Sequence, residues 1–158
     1  MRGCFVDATD ARLLIALSDD PRATTLALAD RLGLSRNTVQ SRLARLDGRL
    51  AGFERRITPD ALGYPLAAHL TATVTQQRLD EVASSLAAIP EVLEVLGISG
   101  AEDLFIRVAA RDADDLYRIA GQILATPGVE RTETALVMRT LVDYRVRPLL
   151  DRAADPAR

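Results

Sequence analysis

Lysine is absent from the 158 residues, and cysteine and histidine occur once each, at Cys4 and His69. A lone cysteine cannot close a disulfide, and one histidine leaves the chain short of the soft ligands that a structural zinc site needs. No metal and no cofactor is therefore expected. No apolar run approaches the ~18 residues of a membrane span, and Met1 to Asp7 lacks the apolar stretch of a secretory leader, so a cytoplasmic location is expected. The sequence shows no Ser/His/Asp set, no Cys/His pair and no glycine-rich phosphate loop, so no catalytic residue is assigned and an enzyme is not expected. What remains is a composition of 48% hydrophobic and 27% charged residues, that of a folded chain with room for one ordinary domain or two small ones.

The net charge of −2 conceals an uneven distribution. From residue 31 to 56, Arg31, Arg36, Arg42, Arg45, Arg49, Arg55 and Arg56 face only Asp47 and Glu54. Every fixed cation is a guanidinium, which grips a phosphate or a guanine edge through two parallel hydrogen bonds. A charge run alone is equally a solvated face, so its meaning depends on the scaffold that carries it.

That scaffold reads as three short helices. Asp7 and Asp10 offer N-cap carboxylates ahead of Leu13, Leu14 and Leu17, and Asp19-Asp20-Pro21 supplies a stop. Thr24 or Thr25 caps a second helix, with Leu28, Ala29 and Leu32 on one side and Gly33 closing it. Ser35 caps a third, from Arg36 to about Asp47, with Val39, Leu43 and Leu46 on one face and Gly48 placed as its C′ residue. Ala29 for close approach, Gly33 for the turn and Val39 as a compact wedge fit a helix-turn-helix, with the third helix entering the major groove of double-stranded DNA.

At 100° per residue, the face opposite the third helix's apolar stripe carries Asn37, Ser41, Ala44 and Arg45, flanked by Thr38 and Gln40. Asn37 and Gln40 match adenine, and Arg45 matches guanine. Ser35, Arg36 and Arg42 lie nearer the helix start or the core boundary, which suits phosphate clamping or an internal ion pair. Phe53 to Ile57 is expected as a strand or short wing ending in Arg55 and Arg56, with Arg55 a further DNA contact.

The rest of the chain alternates between strand and helix patterns. Leu66, Ala68, Leu70, Ala72 and Val74 fall on one face of a strand, with Ala67, His69, Thr71, Thr73 and Thr75 on the other. A helix through Leu79, Val82, Leu86 and Ile89 stops at Pro90. Strands Val92–Ser99 and Leu104–Ala110 follow, joined by Gly100-Ala101-Glu102-Asp103. Asp112 caps a helix that ends at Pro127-Gly128, and Val129–Val146 reads as one long strand. This βαββαβ order is ferredoxin-like, with two helices on one sheet face and the threonine-rich face, carrying His69 as a packed or interface residue, left for a second copy to cover. The expected fold is α+β, a winged helix-turn-helix followed by a ferredoxin-like domain. Its expected divisions are 1–58, a linker at 59–63, a sensing and oligomerisation domain at 64–148, and a tail at 149–158.

Taken together, Val6-Asp7, Leu13-Leu14, Leu28-Ala29, Gly33-Leu34-Ser35, Val39, Leu46-Asp47, Pro59 and Leu62-Gly63, then Gly97 to Leu104, Pro127-Gly128-Val129 and Arg131 to Thr134, resemble the Lrp/AsnC family of bacterial and archaeal transcriptional regulators. The resemblance spans residues 6–147. It implies dimerisation through the C-terminal sheets, further assembly to tetramers or octamers, and a small effector, an amino acid in most members. Position by position, it implies effector contacts from Ser99, Gly100, Glu102, Asp103 and Leu104 on the hairpin and from Thr132 and Thr134 on the last strand.

Three features depart from the family pattern. The chain is about two residues short between Leu46-Asp47 and Gly48. Arg49 stands where an apolar residue is usual, giving a helix-end ion pair or one more phosphate contact. Glu102 replaces a common aromatic residue, setting two carboxylates at the pocket rim. A regulator whose assembly or DNA affinity answers to an amino acid is the leading reading. A ligand-independent DNA-wrapping protein is the alternative, and an enzyme resembling siroheme decarboxylase a distant third.

Overall fold

The computed structural model describes residues 6–155; Cys4 and the start of the chain read above for a leader lie outside them. By contacts the described chain divides into two units, one of residues up to 52 together with those from 142 onward, and one of residues 53–141. The expected linker at 59–63 and the residues just before it thus pack with the second unit, and the expected tail packs with the first.

In the first unit, α1 (Ala8–Asp19) starts with a capping box: the Asp10 N–H donates to the Asp7 carboxylate at 2.8 Å, and the Asp7 N–H donates back to Asp10. Helix α2 (Thr25–Leu32) is capped by the Thr24 hydroxyl, and α3 (Arg36–Leu46) by Ser35, whose Oγ accepts the Thr38 N–H at 3.1 Å. Between α2 and α3 the backbone turns at Gly33, in the left-handed region at φ 64°. Leu13, Ala16, Leu28, Ala29, Val39 and Leu46 form a core shared by all three helices. Ala29 and Val39 are both buried, so the small-residue spacing serves the helix contact expected of it.

Three expectations for this unit and its junction are corrected. Gly48 is not a left-handed C′ residue. A 3-10 turn, Asp47–Arg49, continues from α3, and the Leu50 N–H donates to the Asp47 carbonyl, tightening the helix end instead of reversing it. Phe53–Arg56 is another 3-10 turn rather than a wing, closed by the Ile57 N–H on the Glu54 carbonyl. Beyond residue 146 the chain forms α6 (Arg147–Ala154), with Pro148 in its first turn, and packs on α1. There Asp19 accepts from Arg31 of α2 at 2.6 Å and from Arg147 at 2.8 Å.

The second unit holds β1 (Leu66–Val74), α4 (Leu79–Ala87), β2 (Val92–Gly97), β3 (Leu104–Ala110), α5 (Ala113–Leu124) and β4 (Val129–Leu136). The sheet is antiparallel in the order β2-β3-β1-β4, the ferredoxin-like arrangement. Along β1, Ala68, Leu70, Ala72 and Val74 are buried while His69, Thr71 and Thr73 are partly exposed, so period-2 alternation separates core from outer face. The core meets Val82 and Leu86 of α4, Ile106 and Val108 of β3, and Ile119 and Ile123 of α5. Asp112 caps α5 by accepting the Asp115 N–H at 2.8 Å. Helix α4 ends at Ala87, two residues earlier than expected, so Ile89 lies beyond it, buried in the turn before Pro90. Strand β4 stops at Leu136 instead of running to Val146, because its partner β1 begins at Leu66, next to Pro65, which has no N–H to donate.

At Gly128, φ is +104° and an added Cβ would sit 2.9 Å from Val82 Cγ2, whereas at Gly33, φ +64°, it would meet nothing within 4 Å. Gly33→Ala should therefore lower unfolding free energy by about 1 kcal/mol through backbone strain alone, and Gly128→Ala by roughly 2–4 kcal/mol through strain plus overpacking. Urea denaturation of the two variants checks this; equal losses would contradict it.

Candidate DNA-reading helix and effector hairpin

The surface of α3 sorts its polar residues into two sets. Ser35, Arg36, Asn37, Gln40, Ser41, Ala44 and Arg45 are exposed, while Thr38 is half-buried with its hydroxyl 2.8 Å from that of Ser35. Ser41 Oγ donates back to the Thr38 carbonyl. Arg42 and Arg45 turn toward α1. Arg42 donates to Asp7 at 2.7 Å and to Asp10 at 2.7 Å, and Arg45 donates to Asp10 at 2.5 Å. The Asp10 side chain is 1% exposed, so a carboxylate removed from water is matched by two guanidiniums and by the Asp7 N–H. Of the two readings open for Arg42, the internal ion pair is the one observed. Arg45 departs from the expectation that it projects outward, because its guanidinium reaches across to Asp10 on α1. Arg49 and Arg55 are exposed in the two 3-10 turns. The Arg56 guanidinium sits 5.4 Å from the Phe53 ring centroid.

Strand register aligns the second candidate site. Gly97, Leu104, Ala72 and Thr132 lie opposite one another across all four strands, and Ile106, Leu70 and Thr134 form the next line on the same face. Leu104 is buried in the core. Ser99 and Gly100 are exposed at the hairpin tip, with Gly100 at φ +146°. The two rim carboxylates are already engaged. Asp103 accepts the Val74 N–H at 2.9 Å and the Gln76 amide at 2.5 Å, while its own N–H donates to the Ala72 carbonyl at 3.0 Å. Glu102 accepts from the Thr73 hydroxyl at 2.7 Å and pairs with Arg131, which also reaches Glu133 at 3.1 Å. Sequence reasoning missed these partners, since Thr73, Gln76 and Arg131 lie 27 to 29 residues from the hairpin.

On the outer face, His69 stands opposite Arg107 in register and packs on Phe105, with ring centroids 4.8 Å apart. Burial, reinforced by the Arg107 charge, lowers its pKa below the ordinary imidazole value. Its Nδ1 is buried and has no hydrogen-bond partner among the described residues. A separate cavity of about 300 Å³, lined mainly by Ile57, Pro59, Leu62, Tyr64, Pro90 and Leu93, was not read from the sequence. Among the described residues no three His, Cys, Asp or Glu side chains cluster as metal ligands, and no helix is long and apolar enough to cross a membrane.

Against known families, residues 6–47 match the AsnC-type helix-turn-helix domain and residues 67–147 the Lrp/AsnC ligand binding domain. The chain belongs to the Lrp/AsnC family. Among named relatives of this Lrp/AsnC chain, the HTH-type transcriptional regulator FL11 of Pyrococcus horikoshii is 31% identical over 85% of this chain and 91% of its own length. The HTH-type transcriptional regulator AldR of Mycolicibacterium smegmatis is 34% identical over 89% and 86%. Among solved structures, a feast or famine regulatory protein from M. tuberculosis complexed with L-methionine superposes with a TM-score of 0.77 at 33% identity, covering 89% of this chain and 97% of that one. E. coli AsnC shares the fold, with a TM-score of 0.82 at 24% identity over 91% and 99%. Membership places this Lrp/AsnC chain among DNA-binding transcriptional regulators, not among enzymes.

Asp103→Ala should lower unfolding free energy by about 1–2 kcal/mol, because it leaves the Val74 N–H without its acceptor; a variant as stable as the parent in urea would contradict the anchoring role. The hydrogen bond from Arg42 holds the Asp7 carboxyl down from its ordinary 3.8 to about 2. A depressed pKa stabilises the fold above the ordinary value and loses that contribution as pH falls through the folded one. The stability difference between parent and Asp7→Asn should therefore be full at neutral pH and shrink between pH 3.8 and about 2; a difference independent of pH would contradict it.

Proposed function

We propose that this Lrp/AsnC regulator reads double-stranded DNA through the exposed first turns of α3 and changes its assembly or affinity when a small effector, an amino acid, binds at the hairpin end of the sheet. The observation that carries the DNA reading is the division of labour on α3. Arg42 and Arg45 fix the helix to α1 through buried Asp10, leaving Asn37, Gln40 and Ser41 on the open side. Asn37 and Gln40 present the donor and acceptor pair that matches adenine, and Ser35, Arg36 and Thr38 at the helix start suit the flanking phosphates. Arg49 and Arg55, exposed in the following turns, add phosphate contacts.

For the effector, the relative complexed with L-methionine supports an amino acid. Ser99 and Gly100 at the hairpin tip, with Thr132 and Thr134 along β4, supply small polar groups; Leu104 forms the apolar floor. Glu102 and Asp103 shape the rim, held by Arg131 and by the end of β1. A second copy covers the threonine-rich face, and larger assemblies are built from such dimers. A cytoplasmic location fits a protein that must reach DNA.

A mobility-shift titration on the DNA upstream of its own gene, with and without each amino acid, tests the whole reading. Asn37→Ala should weaken operator binding by about 1–3 kcal/mol and leave binding to random DNA nearly unchanged. Arg45→Ala should weaken operator binding and lower fold stability together, because it strips one cation from Asp10. Equal loss on both DNAs for Asn37→Ala would make that residue a phosphate contact. Affinity that stays flat across all amino acids would favour the DNA-wrapping alternative.

A further inference from the structure

The segment from Val137 to Val146 reads as a strand but is not one here. Its even positions, Met138, Thr140, Val142, Tyr144 and Val146, continue the apolar side of Leu136, while Arg139, Asp143 and Arg145 fall on the odd side with Leu141. The structure leaves it irregular, with a bend at Leu141 and Val142. Its last tie to the sheet is the Val137 N–H on the Ala67 carbonyl at 2.9 Å. From Met138 to Arg145 no backbone N–H donates a hydrogen bond to any described residue. The apolar side chains are open, Met138 at 86%, Leu141 at 76%, Val142 at 66% and Tyr144 at 89% exposure. A run of this size with alternating pattern and unused backbone groups is an edge awaiting a strand.

We infer that this segment is an arm that pairs antiparallel with the same arm of a second copy, about a two-fold axis through Leu141. Charge complementarity selects both the partner and the register. Centred on Leu141, Arg139 of each arm faces Asp143 of the other, giving two opposite-charge pairs by symmetry. The same register sets Met138 against Tyr144 and Thr140 against Val142, so one side of the ribbon is apolar and the other carries the charges. Arg139 and Asp143 make no ion pair among the described residues, which leaves both available. The arm is a surface distinct from the threonine-rich sheet face and does not depend on the reading of the effector site.

Disulfide trapping in the full chain, in a Cys4→Ser background, tests this. Directly opposed residues of an antiparallel pair have Cα atoms about 4.5–5.5 Å apart, within the roughly 4.4–6.8 Å that a disulfide spans. Leu141→Cys should therefore cross-link two chains rapidly under mild oxidation. Tyr144→Cys alone should not, since its copy lies about 20 Å away along the ribbon, but mixing it with Met138→Cys chains should trap the mixed dimer. Arg139→Asp should slow Leu141→Cys trapping roughly three- to tenfold, and adding Asp143→Arg should restore it. Leu141→Cys trapping no faster than Tyr144→Cys overturns the inference, and so does a charge swap that fails to restore the rate.

Discussion

The reach of β1 governs the second unit, because a strand persists only as far as its neighbour offers backbone groups to pair with. Pairing with β3 on one side and β4 on the other, β1 delivers Ala68, Leu70 and Ala72 to the core and His69, Thr71 and Thr73 to the opposite face. At its far end the Val74 N–H is taken by Asp103, which fastens the hairpin. At its near end Pro65 offers no N–H, and β4 loses its partner soon after Leu136. The hairpin geometry and the unpaired arm are thus two ends of one constraint.

The first unit rests on a different device, one carboxylate. Asp10 closes the capping box of α1 and is too buried to be left without cations, so α3 must supply them. A helix whose inner arginines are committed in this way is held at one rotation. Its remaining polar residues then form a defined surface, at the cost of two guanidiniums that the charge pattern alone would have given to DNA. Arg147 on α6 and Arg31 on α2 do similar work at the other end of α1, converging on Asp19.

Features set by neighbours in sequence were legible: the caps at Asp7, Thr24, Ser35 and Asp112, the turn at Gly33, and the alternation along β1. The family resemblance and the ferredoxin-like order rest on the same local signals. What was not legible depends on distant partners. A helical wheel places the Arg45 Cβ on the outer side of α3, but the side chain is long enough to reach Asp10, 35 residues earlier. Asp103 reads equally well as a ligand group or an anchor until the end of β1 is beside it. Alternation through Val146 extended β4 too far because pattern reports strand-forming tendency and not the presence of a partner. Pro148 in the first turn of α6 was a usable start signal that this overlong strand obscured.

Hydrogen–deuterium exchange on the full chain, with and without an operator fragment, separates DNA docking through α3 from docking through the sheet, since exchange reports which backbone segments become occluded or stiffened on binding. Docking through α3 predicts added protection across residues 35–41 that an equal amount of random DNA does not produce. Operator-dependent protection confined to β1–β4 with α3 unchanged would mean that α3 does not read the DNA.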